Sequence, residues 1–230
     1  MARMPNYDDS VGWLRVEGLV TPDVAATIAA VCEGLADDLT EVRAGDKPHG
    51  ATRRLTGLDE RLPGTRAIAE ALGAVVDQIL PTGWTVTEIA YRSPGPGTGH
   101  QQLHADDIPR LDPRAPAAGA TAVVALVAFT PDNGATRVVP GSHRRVDQQR
   151  VSQKVDHLEG EEVLTGVAGT AFVFSSHLLH AGSLNASNRP RPALQISYRA
   201  TQDDKLPTPR SRGRTAEESV GPPEPTNSAT

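Results

Sequence analysis

Seven histidines punctuate the chain, and three of them stand where they could do chemistry. His104 and Asp106 form an H-x-D triplet just beyond a glycine-rich stretch, Ser93 to Gly99 (SPGPGTG). On extended backbone, residues two apart point to the same side, so this imidazole and carboxylate can meet one ion. His180 follows a β-rich run, Thr170 to Phe174, and precedes Ala181-Gly182-Ser183. Two histidines and a carboxylate make the facial triad of non-haem Fe(II) oxygenases, which leaves one face of the metal open. Alone, an H-x-D triplet is common in polar loops, and a single histidine after a strand is more often structural. A third feature adds weight. Arg191 follows His180 by eleven residues, at the mouth of another β-rich run. Its guanidinium offers a rigid fork that suits a carboxylate, and beside such a metal it would anchor 2-oxoglutarate. Arg189 has the same parity, so alternation alone does not choose between them.

The remaining candidates have commoner explanations. His177 makes H-x-x-H with His180, but the segment follows a strand, so His177 is a neighbour rather than a ligand. His100 and His104 are four apart, yet Gly95, Gly97 and Gly99 oppose a helix there. His143 ends a P-G-S-H turn and is expected to bond backbone. Gln101 stands equally for contact with a cosubstrate and for satisfying backbone groups. Tyr91 and Glu88 fall on opposite faces of one strand, and Tyr91 is a candidate for the pocket. Asn133-Gly134 has the form of a hairpin turn. Asn185 is expected to fix the loop after His180. Arg53, Arg54, Arg144, Arg145 and Arg150 could border a site mouth and read a carboxylate or phosphate, although solvated surface charge is the usual role of such residues. Ser175 and Ser176 near His177 do not make a hydrolase, because the chain has no G-x-S-x-G elbow.

The elements that must position these residues follow from pattern. Residues 11–20 alternate as a short strand. Thr21-Pro22-Asp23 then starts a helix, with Val24, Ile28, Val31, Leu35 and Leu39 on its apolar face. A second helix is predicted over 65–80 through Ile68, Leu72, Val75, Val76 and Ile79, with a mobile polar loop between the two. From residue 84 the pattern turns to strands: Trp84–Arg92, the long apolar run Thr121–Thr130, its expected partner Thr136–Val139, Thr170–Phe174 and Ala193–Arg199. Helices followed by strands give an α+β, mainly β fold: a jelly roll with the N-terminal helices packed outside. Residues 1–201 form the expected domain. Residues 202–230 hold five prolines and few apolar side chains, and are expected to be a disordered tail.

These residues carry a resemblance to a known family. Gln101-Gln102-Leu103-His104-Ala105-Asp106 matches Q-x-x-H-x-D, and Asn133 to His143 matches N-G-x-x-x-V-x-P-G-S-H. Gly12 to Leu19 with Thr21-Pro22 resembles an opening strand and helix, and His180, Asn185 and Arg191 fall at matching spacing. All four pieces, in this order, resemble the phytanoyl-CoA dioxygenase (PhyH) family of Fe(II)/2-oxoglutarate oxygenases from about Val11 to Tyr198. The resemblance implies a double-stranded β-helix (cupin-like) core. It implies His104, Asp106 and His180 as iron ligands and Arg191 as the 2-oxoglutarate arginine, with Gln101 and Tyr91 as further cosubstrate candidates. It also implies consumption of O2 and 2-oxoglutarate, release of succinate and CO2, and hydroxylation of a small-molecule substrate. Desaturation, cyclisation and epimerisation use the same cofactors and stay open, as do a protein substrate and a silent ligand-binding barrel. Related halogenases replace the carboxylate with a small residue, so Asp106 argues for oxygenation. Two positions depart from the family: Leu103 stands where an aromatic is frequent, and His180-Ala181-Gly182-Ser183 replaces His-x-Ser-Gly.

Composition narrows the partners. Lys and Arg number 23 against 28 Asp and Glu, a net charge of −5, which disfavours nucleic acid. No apolar run is long enough to cross a membrane. The single cysteine, Cys32, excludes an intrachain disulfide, and a cytoplasmic location is expected. Oligomeric state is left open, as are the substrate lid segments expected within 40–60 and 105–120.

Overall fold

The computed structural model describes residues 5–35, 52–81, 83–108, 110, 112, 114–145, 147 and 155–201. The expected tail and Arg150 lie outside them. The chain enters through strand β1 (Trp13–Val16) and turns into helix α1 (Pro22–Gly34). Thr21 caps that helix by accepting from the Val24 N–H at 3.4 Å. The buried face of α1 is rotated from the expected one. It runs through Ala25, Ile28 and Cys32, whereas Val24 and Val31 are 46% and 41% exposed. The rotation turns Glu33 inward, where Arg53 and Tyr91 both bond its carboxylate.

The described part of the expected polar loop contains strand β2 (Thr52–Leu55) and helix α2 (Leu58–Arg61). The predicted second helix is two, α3 (Gly64–Ala71) and α4 (Gly73–Ile79). Gly73 breaks the run beneath the Trp84 ring, where an added Cβ would lie 3.1 Å from Trp84 Cζ2.

The remaining strands are β3 (Trp84–Pro94), β4 (Gly119–Ala125), β5 (Thr136–Val138), β6 (Glu162–Val163), β7 (Ala171–Ser175), β8 (His180–Gly182) and β9 (Ala193–Ala200). Among the described residues they form two antiparallel sheets. One has the order β1-β7-β4-β9-β3-β2 and the other β6-β5-β8. This is the expected jelly-roll arrangement, with α1 to α4 packed on the outer face of the larger sheet.

One expected pairing is wrong. Asn133-Gly134 does not close a β4–β5 hairpin, because β7 and β9 already occupy both edges of β4. The turn instead carries the chain into the second sheet, where β5 pairs with β6 and β8.

Strand alternation divides the interior. Ala122, Val124, Ala171, Val173, Leu194 and Ile196 pack with α1 and α4 side chains. Val123, Phe172 and Phe174 face the other way, against Val138, Leu164 and Leu178. On β9 the inward row changes character: Gln195 and Ser197 line a cavity between the sheets. No helix among the described residues is long and apolar enough to cross a membrane.

Candidate functional site

The cavity has a volume of about 320 Å³ and is lined by Arg54, Glu88, Arg92, Gln101, His104, Ala105, Asp106, Gln195 and Ser197. His104 and His180 face each other across a short antiparallel bridge. Each donates its backbone N–H to the other's carbonyl, at 3.0 and 2.9 Å. Their rings lie 4.5 Å apart. His104 Nδ1 bonds the Gln102 carbonyl at 2.9 Å, and His180 Nδ1 bonds the Leu178 carbonyl at 2.9 Å. A carbonyl can only accept, so both protons sit on Nδ1 and both Nε2 lone pairs are free to ligate.

Asp106 Oδ1 is 3.6 Å from His180 Nε2 and 4.0 Å from His104 Nε2. The three ligand atoms lie within 4.8 Å of one another. Asp106 Oδ2 accepts from the Thr121 hydroxyl at 2.7 Å, which leaves Oδ1 for an ion. Burial and the adjacent His180 push His104 down to about 4, so it is neutral near pH 7. Desolvation works against the Asp106 carboxylate, but His180 and the Thr121 hydroxyl hold its pKa below the usual range. Two imidazoles and a carboxylate converging on one point suit Fe(II).

Arg191 and Arg189 are told apart by burial. Arg189 is exposed, whereas Arg191, two residues before β9, is 6% exposed. The Arg191 guanidinium lies 4.5 Å from the Phe129 ring centre, and its Nε has no hydrogen-bond partner. No carboxylate pairs with it among the described residues. Burial, with Arg92 adding to it, pushes its pKa down to about 9. A buried, unpaired guanidinium is costly, and an anionic ligand would relieve that cost. Phe129 stacks on Phe172 at 5.9 Å, and Phe174 lies 4.7 Å from the His180 ring. An apolar row thus runs beside the space from the triad towards Arg191.

Gln101 lies at the cavity wall, and its Oε1 accepts from the Gly182 N–H at 3.0 Å. Gly182 has no room for a side chain, since a Cβ would lie 2.4 Å from the Gly99 carbonyl oxygen. That contact leaves no space for the serine that the family pattern has at 182.

Tyr91 is a correction: it is not in the cavity. A bulge between Val86 and Glu88 sets the alternation of β3. Glu88 and Arg92 face the cavity, while Ile89 and Tyr91 face the helices. The Tyr91 ring is fully buried there, and its hydroxyl donates to Glu33 Oε1 at 2.5 Å. Its large apolar area favours the helix–sheet core, and Glu33 satisfies its one polar atom.

His177 and His143 hold the frame. His177 Nδ1 donates to the Ile108 carbonyl at 3.0 Å, and its Nε2 accepts from the Ala118 N–H at 3.2 Å. His143 Nε2 bonds the Asp9 carbonyl at 3.0 Å. Asn185 Nδ2 donates to the Pro94 and Arg189 carbonyls at 3.0 and 2.8 Å, which fixes the loop leading to Arg191.

Several residues of the site were not anticipated. Thr121 positions Asp106. Asp107 accepts from Ser176 Oγ and Arg199 Nη1, both at 2.6 Å, which pins the loop that carries Asp106. Polar side chains at alternate positions of a strand that is otherwise core, Gln195-x-Ser197-x-Arg199, were the available signal.

The two sheets and this site define a class, and comparison with known proteins agrees with it. Residues 9–193 match the family described as phytanoyl-CoA dioxygenase (PhyH), and the chain belongs to that family. It is 35% identical over 117 residues to dioxygenase aneA of Aspergillus aculeatus, a match covering 46% of this chain and 37% of aneA. It is thus matched to little more than a third of that relative's length. It is 27% identical over 225 residues to dioxygenase FrzG of Cladobotryum sp, covering 81% of this chain and 70% of FrzG. Among solved structures, the non-heme alpha ketoglutarate dependent epimerase SnoN from nogalamycin biosynthesis shares the fold. Its TM-score is 0.69 at 18% identity, over 83% of this chain and 79% of that one.

Proposed function

We propose that the protein is an Fe(II)- and 2-oxoglutarate-dependent dioxygenase, built on one domain over residues 1–201, that hydroxylates a C–H bond of a small molecule. The observation that carries this is the His104–Asp106–His180 cluster inside a fold that also buries an unpaired arginine. When bound, Fe(II) with 2-oxoglutarate and O2 supplies the oxidising power for hydroxylation, with release of succinate and CO2. His104 Nε2, His180 Nε2 and Asp106 Oδ1 would hold the metal, and the two Nδ1–H bonds keep the imidazoles in the ligating tautomer. Arg191 would bind the distal carboxylate of 2-oxoglutarate through its fork. Phe129, Phe172 and Phe174 keep water from the space beside them, which strengthens that ion pair. Gln101 orders the 180–183 segment through Gly182. Asp106 occupies the position a halogenase would leave open for halide, which favours oxygenation.

Family membership and the names of the relatives support this reading. Its test is succinate release from 2-oxoglutarate in air by the Fe(II)-loaded protein. Release that needs Fe(II) and is lost in His180→Ala is expected. Release that is absent, or indifferent to His180→Ala, would overturn the proposal.

A further inference from the structure

Among the described residues, the wall of the cavity beside His104 and Asp106 is polar: apart from Ala105, every side chain on it is charged or hydrogen-bonding. Arg54 on β2 and Glu88 on β3 line this cavity together with His104 and Asp106. The sequence places Arg54 among charges of the usual solvated kind, yet its side chain is only 17% exposed. It meets Glu88 end-on: a single nitrogen, Nη2, donates to both carboxylate oxygens, at 2.9 and 3.0 Å. This geometry spends one donor group of the guanidinium and leaves lone pairs on both oxygens. Arg54 Nε is buried and has no hydrogen-bond partner. Each half of the pair therefore has bonding capacity left, one half for an anion and the other for a cation.

An aliphatic or terpenoid substrate placed on this wall would strip water from both charges and return no hydrogen bond. A cavity of about 320 Å³ is also at the small end for a ligand site. We infer that the substrate is a small zwitterion of the amino-acid type, with its carboxylate on Arg54 and its ammonium on Glu88. This rests on the dioxygenase reading and specifies its substrate class. A site built to bond a polar group rejects analogues that lack it, often by several orders of magnitude. Discrimination should therefore be sharp at both ends of the molecule.

The test has two stages. Fe(II) and 2-oxoglutarate are first titrated anaerobically into wild-type, Arg54→Gln and Glu88→Gln proteins, and the visible band of the chelate is followed. Succinate release in air is then measured with the twenty protein amino acids, their N-acetyl and methyl-ester forms, decanoate and a neutral terpene alcohol. At least one free amino acid is expected to accelerate release tenfold or more over the rate without substrate. Blocking its amine or its carboxylate should remove most of that acceleration. Each variant should lose at least tenfold of the response while its chelate titration stays within threefold of wild type. A normal chelate with no acceleration by any free amino acid would overturn the inference. So would acceleration by decanoate or the terpene, or a response indifferent to blocking. A wild-type protein that forms no chelate would overturn the dioxygenase reading itself.

Discussion

Thr121 shows how a residue far from the motif sets its chemistry. Its hydroxyl occupies Asp106 Oδ2, so the carboxylate presents Oδ1 towards the histidines. Thr121→Val should lower Fe(II) affinity about tenfold with the fold intact, as losses of such supporting bonds do. Anaerobic metal titration checks this. The H-x-D spacing was legible because alternation is local, whereas the Thr121 contact crosses from β4 and leaves no local trace. The family spacing already favours Arg191 over Arg189, and burial separates the two as well, whereas Tyr91 was misplaced because strand parity does not say which face holds the site. Acid stability is also decided by single residues. Burial pushes His177 and His104 down to about 4 and lowers His143 as well. Between pH 6.5 and about 4 the unfolded chain binds protons there that the folded chain does not. Stability of the metal-free protein should be full above 6.5 and fall steadily below it, read as the urea midpoint. His177→Gln should flatten part of that slope.

At the scale of elements, β9 and β7 each serve two cores. β7 turns Val173 towards the helices and Phe172 and Phe174 towards the second sheet, with Phe174 against His180. Phe174→Ala should cost about 3–5 kcal/mol in urea unfolding and weaken metal binding as well, because it removes packing from a ligand ring. Most strands were legible from β-forming runs and turn residues. Three features were hidden. The short strands β2, β6 and β8 have too few residues to show a period. The partner of β5 depends on which sheet edges other strands have taken. The rotation of α1 sets Glu33 against Arg53 and Tyr91, polar contacts that apolar periodicity does not register.

Across the whole molecule, a chain poor in aromatics commits all three of its phenylalanines to the space between the sheets. The triad stands near one end of that row and Arg191 against the other. The charged wall of Arg54, Glu88 and Arg92 belongs to the same cavity as His104 and Asp106. The overall plan was legible because ordered motifs carry it, while the polarity of the cavity emerged only when β2, β3 and β9 came together. The most direct test is an anaerobic titration of Fe(II) and 2-oxoglutarate into the purified protein, read at the visible charge-transfer band of the chelate. A band is expected in wild type and none in His104→Ala. In Arg191→Ala the band should need at least tenfold more 2-oxoglutarate. A folded wild-type protein that shows no band, or a band that neither substitution alters, would contradict the dioxygenase reading.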